Sequence, residues 1–394
     1  MTRATLRTIS ALGVVEIFAW GSSYYLMAPL SAAIGEDTGW SLGFLSGGVS
    51  LGLLVSGLSA PAVGRWIGRT GGRQALSAGM VCLAAGLALL GLAQSQAAYL
   101  LAWIVLGFGM AAGLYDAAFS VLGSAFGRDA RAAITQLTLW GGFASTVCWP
   151  LSAWMVEAFG WRAACFGYAA LHLCVTLPLC RYLLPRAPGD GGGAAAGAAT
   201  GPAPVSGTDL RMLCIVATGV TLTMLATIFS IHMVTLLGAQ GYTLAAAIGL
   251  GTLLGPSQVG ARVIEMLGRG RHHPIWTMIA SATLVLIGMA TLSLGLPAVA
   301  AVVAYGAGNG LWSITKGALP LAIFGPEGYA PLMGRLARPM LIAGAVAPLI
   351  GAMLIDGLGP DRTLALLAAC ALLPVAASGL LYLRLHSTGA QRVV

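Results

Sequence analysis

Residues 45–92 read LSGGVSLGLLVSGLSAPAVGRWIGRTGGRQALSAGMVCLAAGLALLGL. Two uncharged apolar runs flank a turn that carries Arg65, Arg69 and Arg73 among Gly64, Gly68, Gly71 and Gly72. Crossing a bilayer takes about 20 mostly apolar residues. In hydrocarbon the backbone must close its hydrogen bonds within the segment, so each run is a helix and the turn lies at a membrane face. The same alternation fills the chain. It predicts spans near 8–34, 42–63, 75–93, 97–124, 132–156, 162–185, 211–238, 242–267, 274–295, 297–324, 334–355 and 363–385. The fold class expected is an all-α membrane protein with twelve transmembrane helices.

Composition agrees. The 394 residues are 58% hydrophobic and 8% charged, with a mean hydropathy of +0.88. Soluble domains carry about 25% charged residues, so an ordinary aqueous globule is excluded. The 56 glycines suit helices that pack closely in lipid. Seven cysteines at irregular spacing, with no CxxC pair, give neither a disulfide framework nor a metal site. The long apolar run behind Arg3 and Arg7 reads as a retained first span rather than a cleaved leader.

The net charge of +8 is explained by topology. With the N-terminus inside, Arg3, Arg7, Arg65, Arg69, Arg73, Arg128, Arg131, Arg181, Arg186, Arg211, Arg269, Arg271, Arg335, Arg338, Arg384 and Arg392 fall on the cytoplasmic side, and only Arg162 and Arg362 fall outside. That bias places both termini in the cytoplasm, and the membrane expected is a bacterial inner membrane. It assigns the basic balance to lipid headgroups, with no nucleic-acid partner.

Residues 186–210 are rich in Gly, Ala and Pro and read as a flexible cytoplasmic linker between an N-terminal bundle (1–185) and a C-terminal bundle (211–394), each of six helices. The halves echo one another. Pro150-Leu151 with Glu157-Ala158-Phe159-Gly160 matches Pro348-Leu349 with Asp356-Gly357-Leu358-Gly359, and Phe126-Gly127 matches Phe324-Gly325 at the same offset. Duplicated, pseudo-symmetric bundles with a midplane site between them are a transporter architecture.

The turn Pro61–Leu76 resembles the G-x-x-x-D-R-x-G-R-R signature of the major facilitator superfamily, at the loop where that family carries it. The resemblance implies two six-helix bundles that rock about a central cavity, and a conformational latch at Gly64, Arg65, Arg69, Gly71 and Arg73. Gly68 stands where the family has an aspartate. Gly39-Trp40-Ser41 and Pro61-x-x-Gly64 are similar to the monocarboxylate and oxalate–formate carriers. Those carriers place a cation on span eight to bind a substrate carboxylate; here that residue is Arg262, with Gln258 one turn before it. A weaker similarity to copper- and riboflavin-importing branches draws attention to His232, Met233 and Met266 as an alternative metal set. The His/Met spacing of the copper carriers is not met.

Charge inside a span is costly, about 2.5–3.5 kcal/mol at the centre, so it marks function or an internal partner. Glu16, Asp116, His232 and Lys316 stand on spans one, four, seven and ten, which line the cavity in the superfamily. Asp116 and Lys316 lie at equivalent depths and form either a fold-locking pair or a switch. Glu16 either carries protons or pairs with an inner arginine. Arg262 either grips an anion or joins Glu265 and Arg269 in an inner network. Trp20, Tyr24 and Tyr25 are candidates to wall the site.

The expected function is alternating-access transport of a small organic solute, a proton-coupled monocarboxylate first, with copper or riboflavin import as the alternative. Arg262, Lys316, Gln258, His232, Trp20, Tyr24 and Tyr25 would hold cargo, and Asp116 and Glu16 protons. No cofactor is expected, and a monomer in the bilayer is. HExxH, GxSxG and phosphate-loop motifs are absent from the sequence, which disfavours a membrane enzyme, and no connection is long enough for a sensor's output domain.

Overall fold

The computed structural model describes residues 3–127, 130–184, 209–268 and 271–387. Most of the expected linker, and Arg128, Arg186, Arg269 and Arg392, lie outside the described residues. Among the described residues there are helices and no strands, as backbone immersed in hydrocarbon requires.

Span one is α1 (Arg3–Gly21) and α2 (Met27–Thr38), span two α3 (Leu42–Thr70) and span three α4 (Gly72–Leu92). Span four is α5 (Gln96–Gly113) and α6 (Tyr115–Phe126); span five is α7 (Ala130–Gly142) and α8 (Ala144–Phe159). Span six runs through α9 (Trp161–Leu171), a π turn (His172–Thr176) and α10 (Leu177–Leu183). Span seven is α11 (Leu210–Ala239), span eight α12 (Leu244–Gly251) and α13 (Leu254–Leu267), and span nine α14 (Pro274–Ser293). Span ten is α15 (Ala298–Phe324), span eleven α16 (Tyr329–Leu358), and span twelve α17 (Pro360–Cys370) and α18 (Leu372–Ser387).

Eight of these elements are long and apolar enough to cross a membrane by length and composition alone: spans two, three, four, six, seven, nine, eleven and twelve. Spans one, four, five, eight and twelve are each cut into two shorter helices, and span six passes through a π turn. Span ten is unbroken, but Asn309, Ser313 and Lys316 dilute its hydropathy.

The chain forms two compact units: residues 1–204 with 324–345, and residues 205–323 with 346–394. The internal echo seen in the sequence has a counterpart in backbone geometry. Gly160 ends α8 at φ 83°, ψ 162°, and Gly359 ends α16 at φ 83°, ψ 161°. Each donates its amide to the carbonyl four residues back, at 2.9 and 3.0 Å, and the next helix starts at once. A positive φ of this size is open to glycine and strained for L side chains, which is why a glycine recurs at both joints.

In the first unit, the end away from the arginine-rich turn is tied by a polar clamp. The Arg162 guanidinium donates to the Asp37 carboxylate, lies 4.2 Å above the Trp161 ring, and reaches Ala93 O at 3.5 Å. Trp161 Nε1 donates to the same carboxylate at 3.2 Å. The Arg162 hydrogen bond, then that of Trp161, holds the Asp37 carboxyl below its ordinary value of 3.8. A depressed carboxyl stabilises the fold above its unfolded value, and that contribution is lost as pH falls through the folded one. Asp37→Asn is therefore expected to lower the thermal midpoint slightly at neutral pH, since both partners are about half exposed. The gap from wild type should close as pH drops below 3.8. A gap that stays constant down through that range would remove the clamp as its cause.

Candidate functional site

Glu16 is fully enclosed in the first unit, and its Oε2 accepts from Trp20 Nε1 at 2.9 Å. Trp20 anchors an aromatic wall. Its ring centroid lies 5.5 Å from Tyr24, 6.0 Å from Tyr25 and 5.1 Å from Tyr115. Tyr115 stacks on Phe119 at 5.1 Å and 9°, and Tyr25 meets Trp149 edge-on at 6.2 Å. The wall thus draws on spans one, four and five. Its shape follows from the break after Gly21: Ser23 Oγ donates back to Ala19 O at 2.5 Å, and the Tyr25 amide reaches Trp20 O at 3.0 Å. Such side-chain competition with the helix ladder bends or ends a helix, and here it sets two tyrosines beside Trp20.

Asp116 stands in the first turn of α6, just after Leu114 adopts extended backbone at φ −98°, ψ −177° and cuts span four. The free amides and dipole of a helix start favour a carboxylate there. Asp116 borders a small cavity with Ala60, Val63, Gly64, Ala117, Ser120 and Gly334. A Cβ on Gly64 would stand 2.5 Å from Ala330 O, and one on Gly334 would stand 2.3 Å from Ala60 O. Hence α3 and the first part of α16 touch backbone to backbone inside this unit, and the carboxylate sits at the edge of that contact. Of the other latch residues, Arg65 and Arg69 are exposed, Arg73 is half-buried, and Gly71 makes the turn at φ 79°.

In the second unit Arg262 is 5% exposed. Its Nε donates to Gly310 O at 3.4 Å and its Nη2 to Gln258 Oε1 at 3.3 Å. The Arg262 and Gln258 pair expected from the sequence is therefore brought together, at a crossing where a Cβ on Gly310 would stand 2.5 Å from Gln258 O. Glu265 accepts from Thr277 Oγ1 at 2.9 Å and pairs with His272 at 3.2 Å. His273 caps α14, its Nδ1 accepting from the Ile275 amide at 3.2 Å.

His232 Nε2 lies 3.0 Å from Pro348 O, and since a carbonyl only accepts, that nitrogen carries a proton. Met233 is buried and Met266 half-buried. Among the described residues no group of three or more His, Cys, Asp or Glu is placed to hold a metal. Lys316 is half-buried on α15 in the second unit, whereas Asp116 belongs to the first. A groove of about 410 Å³ lies between α1 and α7; Leu6, Ile9, Ile17, Trp140 and Phe143 give it apolar walls, with Ser10 and Gln136 the polar lining and no charged group. An anion would find no cation there.

Sequence reading missed three members of the aromatic wall, Tyr115, Phe119 and Trp149, because nothing in the chain shows which rings converge. It also passed over His172, which the structure buries completely in the π turn of span six.

Comparison with known proteins follows the same architecture. The crystal structure of the transporter FucP in the outward conformation is similar over 96% of this chain and 99% of that one, with a TM-score of 0.74 and 12% identity. The human organic anion transporter MFSD10 is similar over 96% and 100%, with a TM-score of 0.73 and 15% identity. The proton:xylose symporter XylE gives 96%, 94%, 0.71 and 14%. These identities carry the fold and no more. No curated protein sequence matches the chain. The pattern described as Major Facilitator Superfamily matches residues 12–330, well over half of the chain. The chain is a multi-pass membrane transporter, not an enzyme, and belongs to the Major Facilitator Superfamily.

Proposed function

We propose that the protein is a proton-coupled carrier of a small organic anion of the monocarboxylate class, working by alternating access of two six-helix bundles. The observation that carries this reading is Arg262: a guanidinium kept 5% exposed inside a span, donating to Gly310 O at 3.4 Å and to Gln258 Oε1 at 3.3 Å. Charge held in hydrocarbon is costly, and a planar fork matches a carboxylate. Lys316 adds cationic character, Trp20, Tyr24 and Tyr25 form the wall, and Glu16 and Asp116 take up protons. The contact of Gly64 with Gly334 is the latch. Among similar structures one is an organic anion transporter and another a proton symporter, each by its own description. The remaining parts of the reading are a bacterial inner membrane, both termini cytoplasmic, a linker over 186–210 joining the bundles, and a monomer.

The test is uptake into proteoliposomes. L-lactate or pyruvate should accumulate when the outside is acidified, and a protonophore should abolish the accumulation. Accumulation of fucose or xylose with no monocarboxylate flux would overturn the anion assignment.

A further inference from the structure

Behind the aromatic wall, defects in two helices meet at one histidine. Span six leaves the α register for a single π turn at His172–Thr176; such turns are rare and often sit at functional sites. His172 is fully buried, as are Ser22 and Thr176. Its Nε2 lies 2.7 Å from Ser22 Oγ, and its Nδ1 lies 2.9 Å from Thr176 Oγ1.

One proton arrangement satisfies every group: the Thr176 hydroxyl donates to His172 O at 3.1 Å and accepts from Nδ1–H at 2.9 Å. Nε2 is then the acceptor, and the Ser22 hydroxyl donates to it.

Ser22 is where span one comes apart. Its amide makes a regular bond to Phe18 O at 2.9 Å. Beyond it the ladder fails: Ser23 reaches Trp20 O at 3.4 Å, Tyr25 takes the same carbonyl at 3.0 Å, and Leu26 turns to Ser23 O at 3.2 Å. The Ser22 hydroxyl is fully buried at the break and needs a partner inside the protein. The π turn presents an imidazole nitrogen to it. The nearby phenol of Tyr168 is committed to Ser152 Oγ at 2.7 Å and Cys148 O at 3.1 Å.

We infer that His172 is a positioning residue: as a neutral Nδ1–H imidazole it pins the interruption at Ser22 and so fixes how Trp20, Tyr24 and Tyr25 face the cargo. The inference rests on the reading that this wall contacts cargo.

The experiment has a cargo-free arm and a transport arm, both on the full chain in lipid. In amide hydrogen exchange, His172→Phe and Ser22→Ala should each speed exchange at residues 23–26 about tenfold, the scale of one buried hydrogen bond, with α4 unchanged. The double variant should add nothing further, because both remove one bond. His172→Gln keeps an acceptor near the Nε2 position and should restore wild-type exchange. In L-lactate uptake, His172→Phe should raise KM about tenfold with Vmax within about twofold, and His172→Gln should restore it. Unchanged exchange at 23–26 in both single variants overturns the inference, as does faster exchange with an unchanged KM. If the wild-type protein carries no L-lactate, the cargo assignment fails and the exchange arm still decides whether His172 holds the break.

Discussion

Replacing Arg262 by alanine is expected to cut L-lactate uptake about 10- to 100-fold, the worth of one or two hydrogen bonds to a charged group. The loss should appear as a raised KM, because the group removed binds the carboxylate before and during translocation. Two roles compete for this guanidinium, and they leave different signatures. If it only fastens α13 to α15 through Gly310 O, the thermal midpoint should fall and KM should hold. If it grips cargo, KM should rise far more than stability falls. Arg262→Lys should recover part of the affinity, since a point charge replaces the fork without its bidentate geometry. Full uptake by the alanine variant would take Arg262 out of the site.

Gly334→Val is expected to be nearly as damaging, by another route. A Cβ at residue 334 falls 2.3 Å from Ala60 O and 3.0 Å from Ala60 C. Those are backbone atoms of α3, with no rotamer to yield. Overpacking of this kind costs about 1–3 kcal/mol, here charged against the arrangement in which α3 and α16 touch. A two-state carrier would shift away from that arrangement by about 5- to 150-fold. Turnover should drop, and a cysteine placed at residue 63, beside the contact, should become more reactive to a soluble maleimide. Gly64→Ala should act in the same direction, its Cβ meeting Ala330 O at 2.5 Å. Unchanged labelling together with unchanged turnover in Gly334→Val would sink the latch reading.

What the sequence disclosed was governed by composition. Uncharged runs and arginine-studded turns suffice to mark helices and their ends, because lipid leaves the backbone no alternative. The glycine joints at Gly160 and Gly359 were legible for a related reason: a positive φ restricts the residue type. The interruptions were not legible. Span one looks continuous from 8 to 34, yet it breaks at Ser22–Leu26, where the Ser22 hydroxyl lies 2.7 Å from a histidine of span six that no local pattern ties to it. Leu114 is an ordinary apolar residue that carries no sign of the cut it makes in span four. Uniformly apolar helices also lack a polar stripe, so periodicity does not report which face turns inward. The partners of Arg262 within its own helix could be anticipated by spacing; its acceptor on span ten could not.

The matched joints at Gly160 and Gly359 stand after the fifth and the eleventh crossings. Each half therefore completes an even tally of passes and hands the chain back on the side where it entered. A tandem fusion of two copies of an ancestral six-pass gene then needs only a short tether, with no added crossing and no flipped copy. Had the ancestral unit held five or seven passes, the same fusion would have produced upside-down twins.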